Sequence, residues 1–307
     1  MYPPELLSER LQLPETDDHS IVLITGNQLR HRRFALRMQQ VFGELVVGWY
    51  QLDRGTRKSE GATNKGLDAG MVRSKASRIM RADVLARGRD RLNRRRNQAT
   101  LQQYYAAHAA AEQALFGQEV TDLESFAVRQ AVKIDPNDVN SPTFVQEIET
   151  LGPYFFLTLG GPLYRKPLLD TVRGVAVNQH AGHSPDLRGS NTTEWALYHR
   201  NLDHVSATVH LTISGADAGP ILRRSNPCLI PTDDVNTVFA RVVALGTELM
   251  IESVQKIIAD KNVIAFPQPL RTGKTYLSKQ LPDIIEPITR DFRAGWLQKA
   301  IEQQRQF

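Results

Sequence analysis

The apolar residues of this chain alternate between short unbroken runs and stretches of helical spacing. Ile21–Thr25 (IVLIT) is apolar and rich in β-branched residues, and Gly26 and Asn27 follow at once. That order predicts a buried strand ending in a tight turn. Leu29 to Phe42 then carries Phe34, Ala35, Met38 and Val41 at helical spacing, and Leu45–Trp49 (LVVGW) predicts a second strand. Strand, helix and strand within roughly thirty residues make the βαβ unit of a parallel sheet.

The pattern then breaks. Residues 51–70 are polar and contain glycine, whereas Met71 to Phe116 reads as helix, arginine-rich at first and alanine-rich later. Gly117 stands where a C-terminal cap belongs. The stretch of about 51–117 interrupts a regular α/β sequence and is read as an insertion, a helical hairpin across one sheet edge. Regularity returns after Phe126. Ser141-Pro142 opens a helix, and Tyr154–Leu159 (YFFLTL) is a third buried strand ending in Gly160-Gly161-Pro162. Leu168–Val172 fits a short helix end. Val175–Asn178 begins a fourth strand, Thr193–His199 is helical, and Ala207–Ile213 (ATVHLTI) is a fifth strand. Asp233–Ala259 predicts a long amphipathic helix, and a last helix falls near Asp291–Gln304. The expected division is an α/β domain at 1–222 and a mainly helical region at 223–307.

Composition adds class rather than fold. Apolar residues make up 41% and charged residues 23%, as in ordinary globular proteins. No apolar run reaches the roughly 18 residues that span a bilayer. The opening residues lack the basic-then-apolar order of a secretory signal. Cys228 is the single cysteine, so no internal disulfide can form. A cytoplasmic protein without membrane partners is the expectation.

The formal charge of +5 is concentrated. Arg73 to Arg96 holds nine arginines and one lysine against Asp83 and Asp90, a net +8, which leaves about −3 for the rest. Ten positive charges in 24 residues suit nucleic-acid phosphates. No aromatic residue interleaves before Tyr104, however, as single-strand binding would favour. A solvated helical face, a homo-oligomer contact and a lid for an anionic substrate are the competing readings.

Candidate chemistry lies between Val175 and Leu222. Asn178 and His180 are one residue apart at a strand end and so project to one side. The loop beyond is rich in Gly, Ser, Pro and His, as at the carboxyl edge of a ligand-binding sheet. A second strand ends in a glycine-punctuated loop carrying Asp217. If the strands are neighbours, that carboxylate reaches the imidazole. Amide, imidazole and carboxylate together suit attack on an acyl carbon. Fixed donors on the developing oxyanion are worth roughly 3–4 kcal/mol each. Asn178 and a protonated His180 are the expected donors, with Asp217 orienting the ring and taking up the amine's proton.

Asn178, His180, Pro185, Arg188 and Gly189 form N-x-H-x-x-x-x-P-x-x-R-G, which resembles the signature of the folate-dependent formyltransferases. Trp195-Ala196-Leu197, Thr208-Val209-His210 and Asp217-Ala218-Gly219-Pro220-Ile221 continue the likeness in order, with Ala218-Gly219 where the family usually has Gly-Gly or Thr-Gly. The resemblance implies a Rossmann-like, mostly parallel sheet with flanking helices, a helical insertion and a helical C-terminal segment. It implies 10-formyltetrahydrofolate as donor, no metal, and Asn178, His180 and Asp217 as the catalytic set. The pterin pocket would lie between Leu159, Gly160, Gly161, Pro162, Leu163 and the loop of Ala216 and Gly219.

The acceptor is read from less. Asn27, Arg30 and His31, after the first βα turn, are candidates for its polar head group, and Arg188 for a second contact. About 86 residues follow Ile221, largely helical in pattern, which leaves no room for the β-barrel of methionyl-tRNA formyltransferases. A small-molecule amine is the leading expectation, a nucleotide-linked amino sugar among them. The alternative is a tRNA-formylating or nucleic-acid-binding protein that uses the arginine run. His210 and Trp195 are expected to pack rather than act. Metal binding by His180, His183 and Asp217 is set aside because Asn178 is a poor transition-metal ligand.

Overall fold

The computed structural model describes residues 9–53, 76–269 and 273–304, with the side chains of 9–10 and 76–96 outside the description. In chain order the strands are β1 (Glu9–Gln12), β2 (Ile21–Thr25), β3 (Val46–Leu52), β4 (Val132–Ile134), β5 (Phe155–Leu159), β6 (Val175–His180), β7 (Leu187–Gly189), β8 (Ala207–Leu211), β9 (Ile221–Ser225), β10 (Asn262–Ala265) and β11 (Lys274–Tyr276). The helices are α1 (Leu29–Phe42), α2 (Ala76–Leu123), α3 (Pro142–Leu151), α4 (Lys166–Leu169), α5 (Thr192–Tyr198), α6 (Val235–Asp260), α7 (Pro282–Arg293) and α8 (Trp296–Gln304).

Seven strands form the central sheet in the order β4-β3-β2-β5-β6-β8-β9. The first five are parallel, β8 runs antiparallel to β6, and β9 antiparallel to β8. Ile21 and Leu23 of β2 face Phe34 and Met38 of α1, while Val22 and Ile24 face Phe144 and Ile148 of α3. Covering on both faces is why this strand is a continuous apolar run rather than an alternation. The order reverses between β2 and β5, so their carboxyl ends open a crevice there. The expected mostly parallel α/β architecture is the observed one.

The basic segment differs from expectation. Arg73, Ser74 and Lys75 lie outside the described residues, as do 54–72. From Ala76 the chain forms one helix of 48 residues in place of the hairpin, and it passes through Gly117 to Leu123. Phe116, Val120 and Leu123 bury against Leu36 of α1 and Ala240 of α6. That packing outweighs the helix cost of one glycine, about 1 kcal/mol. The second half of α2 is thus part of the helical layer, not a strap on the sheet edge. The chain's last helical stretch is likewise two helices, parted at Gly295 with φ +73°. The region after residue 222 also contributes β10 and β11, and β1 pairs with β10 in a small separate sheet that the first residues did not signal. No described helix is long and apolar enough to cross a membrane.

Ion pairs tie α2 to the layer beneath. Arg30 pairs with Glu112, whose side chain is 2% exposed, and the Arg30 backbone N–H also donates to Glu112 Oε2 at 3.2 Å. Arg33 donates to Glu119 at 2.7 Å, and Arg37 to Glu248 of α6 at 2.6 Å. Removing one partner of a buried pair strands the other charge. Glu112→Ala is therefore expected to lower stability by roughly 3 kcal/mol, read as a shifted midpoint in urea unfolding. An unchanged midpoint would show that α2 is held by its apolar contacts alone.

Candidate active site

β6 ends at the carboxyl edge of the sheet and carries both Asn178 and His180. Across the antiparallel ladder, Asn178 faces His210 and His180 faces Thr208. The loop after β8 returns Asp217 over this edge with φ +46°, and its oxygens meet both side chains. Asp217 Oδ2 is 3.4 Å from His180 Nδ1 and accepts from the Gly189 backbone N–H at 2.8 Å. Oδ1 accepts from Asn178 Nδ2 at 3.3 Å and lies 3.4 Å from His210 Nε2. The structure thus gathers Asn178, His180 and Asp217, with His210 as a fourth member.

Hydrogen bonds decide the tautomers. His210 Nδ1 donates to the Leu211 carbonyl at 2.8 Å, and its Nε2 lies 3.2 Å from Asn178 Nδ2. Asn178 Oδ1 in turn accepts from the Thr158 hydroxyl at 2.8 Å. His180 Nε2 donates to the Leu187 carbonyl at 3.0 Å, which leaves Nδ1 to face Asp217. Burial pushes the His180 pKa below its ordinary value, and His210 adds to that, although the Asp217 charge opposes it. Desolvation thus works against the protonated His180 expected from the sequence and outweighs the neighbouring carboxylate. Burial works to raise the Asp217 pKa as well, but His180, His210 and the Gly189 N–H bring it well below the usual carboxylate range.

These groups open into a cavity of about 640 Å³, within the range of small-molecule sites. Leu159, Gly160, Gly161, Pro162 and Leu163 form one rim, and Gly215, Ala216 and Asp217 the other. Gly160 and Gly161 have φ of +77° and +112°, a conformation side chains disfavour. A Cβ on Gly161 would also strike the Tyr164 hydroxyl, so the rim presents backbone to the cavity. Gly219 does not line the cavity; it packs on the Leu211 carbonyl and lets the Asp217 loop close.

On the acceptor side, Arg30 and His31 line the cavity, whereas Asn27 is exposed outside it. Arg188 sits in β7, paired with Thr275 of β11, also outside the lining. Arg30 is committed to Glu112 and also donates to Gln28 Oε1. Burial, helped by the Arg30 charge, keeps the His31 pKa well below its usual value. Its ring lies against Gly26, and its Nδ1 accepts from the Gln28 N–H.

The opposite wall comes from residues that carry no functional signal in the sequence. Tyr104, Tyr105 and His108 of α2 line it with Phe239 of α6 and Glu194 of α5. Glu194 is 1% exposed, accepts from the Tyr104 hydroxyl and lies 3.4 Å from His108 Nε2. Burial works to raise its pKa, but His108 and Tyr104 together bring it below the ordinary value. Local pattern held no signal for this wall beyond two aromatic residues in an alanine-rich helix. Trp195 packs as expected, stacked on Tyr276 with centroids 4.3 Å apart.

An open, mostly parallel α/β sheet with an Asn-His-Asp cluster at its carboxyl edge defines the class. The profile of the formyl transferase family matches residues 93–254, a little over half of the chain, and the chain belongs to that family. A methionyl-tRNA formyltransferase of Thermodesulfovibrio yellowstonii is 27% identical over 148 residues, 48% of this chain and 46% of that protein. One from Ligilactobacillus salivarius is 24% identical over 169 residues, 52% of this chain and 53% of that protein. The chain thus spans about half the length of these curated relatives. Among solved structures, a 4-N formyltransferase of Francisella tularensis superposes with a TM-score of 0.49 at 12% identity, covering 85% of this chain and 78% of that one.

Proposed function

We propose that this chain transfers a formyl group from 10-formyltetrahydrofolate to the amine of a small biosynthetic molecule. The convergence of Asn178, His180 and Asp217 at the mouth of the cavity carries this reading. The glycine rim at Gly160 and Gly161 fits a flat heterocycle recognised through backbone groups. The bound donor supplies an activated formyl carbon to the amine. His180, with its Nε2–H held on Leu187, offers Nδ1 to the proton the amine releases, and that proton passes on to the folate nitrogen as its bond to the formyl carbon breaks. Asp217 Oδ2, 3.4 Å away, compensates the charge so formed. Asn178 turns an amide hydrogen from Asp217 or His210 toward the negative charge developing on the formyl oxygen.

Among the described lining residues Arg30 is the one guanidinium or ammonium group, and Glu112 holds it. A nucleotide-linked amino sugar would therefore place its amine inside the cavity and its phosphates outside. The test is mass spectrometry for the gain of one CO on a panel of such amines supplied with 10-formyltetrahydrofolate. A product that disappears in His180→Ala supports the reading. Folate binding without transfer to any amine would count against it.

The names of the sequence relatives favour a second reading, formylation of an aminoacyl-tRNA. It predicts RNA binding that weakens steeply with salt and is lost when Arg94, Arg95 and Arg96 become alanine.

A further inference from the structure

A second cluster of chemically capable side chains lies behind the loop that joins β6 to β7, and none of its members lines the cavity. His183 and Asp186 sit on that loop, and His204 ends the single helical turn Leu202–His204 just before β8. One ligand atom from each of the three falls within 4.8 Å of the others. His183 Nε2 is 3.5 Å from Asp186 Oδ2, and His204 Nε2 is 3.9 Å from the same oxygen. The two imidazole rings are stacked, with centroids 4.4 Å apart.

These separations are too long for good hydrogen bonds. The His183–Asp186 separation does fit one edge of a coordination tetrahedron. Ligands at about 2.0–2.2 Å from a zinc ion stand roughly 3.3–3.5 Å from one another. One edge already has that length, and to close the other two His204, which is partly exposed, must turn out of its stack on His183. The buried Ser206 hydroxyl lies 3.1 Å from His183 Nδ1, the kind of outer contact that fixes the ring of a metal-ligating histidine. We propose that His183, Asp186 and His204 bind a divalent transition cation of the zinc type, at a site separate from the candidate active site.

Two neutral imidazoles and one carboxylate are a common ligand set for such ions and leave a position for water. Burial, with the charges of Arg224 and His204, holds the His183 pKa down to about 3. Arg224 also sets a limit, because its positive charge repels a cation nearby. Affinity in the micromolar range is therefore expected rather than that of a thiolate site. The ion would link the loop to the turn before β8. In β7, which that loop leads into, the Leu187 carbonyl receives the His180 N–H, and the Gly189 N–H reaches Asp217. Occupancy would thus stiffen the segment that positions both groups.

The experiment uses the full chain, untagged and stripped with a chelator, titrated with Co²⁺ and followed by its visible d–d bands, with Zn²⁺ as competitor. One equivalent of bound Co²⁺, displaced by Zn²⁺, is expected. His204→Ala and Asp186→Asn should each weaken binding by about tenfold or more, while His19→Ala, at a histidine far along the chain, should not. Zn²⁺ should also raise the melting temperature of the unaltered protein and leave that of the two site variants unmoved. No stoichiometric uptake, or uptake undiminished in both site variants, would overturn the proposal.

Discussion

Replacing Asp217 with asparagine is expected to lower the turnover of formyl transfer by about a thousandfold while leaving folate affinity nearly unchanged. Both carboxylate oxygens are engaged: Oδ2 with the Gly189 N–H and His180, Oδ1 with Asn178 and His210. An asparagine of the same shape turns one of those oxygens into a donor. It must then face the Gly189 N–H or the Asn178 amide, both donors themselves. It also removes the negative charge that would stabilise a proton on His180 Nδ1, a proton that burial already disfavours. The loss therefore falls on the chemical step. Single-turnover rates set beside donor affinity from equilibrium fluorescence separate the two effects. Equal loss in both would make Asp217 a binding residue, and full activity would remove it from the mechanism.

Gly219→Ala is expected to cost roughly 3 kcal/mol of stability and to abolish activity in whatever remains folded. A Cβ at this position overlaps the Leu211 carbonyl oxygen and stands 2.8 Å from the Leu211 carbonyl carbon. Backbone cannot give way as a flexible side chain does. Displacement of the loop would break the Gln268 bonds to the Asp217 and Gly219 carbonyls, of 3.0 and 2.6 Å, and with them the seat of Asp217. Gly215→Ala is the control. Its Cβ meets nothing closer than the Ala218 methyl at 3.4 Å, so a change within about 0.5 kcal/mol is expected. Urea unfolding of the two variants decides the matter. Similar midpoints would mean that the loop rearranges freely, contrary to its close packing.

Local pattern carried far where burial and period coincide. The strand Ile21–Thr25 and helix Leu29–Phe42 were legible to the residue, because one is covered on both faces and the other on a single stripe. Asn178 and His180 were legible as a pair because a strand repeats every two residues, and Asp217 because its loop follows the neighbouring strand. The end of α2 departs from local pattern for a physical reason. Gly117 is a stop signal in isolation, and the packing of Phe116, Val120 and Leu123 on α1 and α6 overrides it.

The amino-acid order by itself determined the α/β alternation, the mostly parallel sheet and the strand edge that holds an amide and an imidazole. It determined these because hydrogen-bonded periodicity and burial act on near neighbours in the chain. Tertiary structure alone decided that α2 walls the cavity, that Arg30 is spent on Glu112, that His210 joins Asn178 and Asp217, and that His183, Asp186 and His204 meet. Arg30 and Glu112 are 82 positions apart, and Tyr104 and Glu194 are 90. Contacts across such separations follow from how helices pack on a sheet, and so do the charge states at their meeting points. Desolvation depends on what covers a group, so the downward shifts of His180 and Asp217 arise only once the layers have closed.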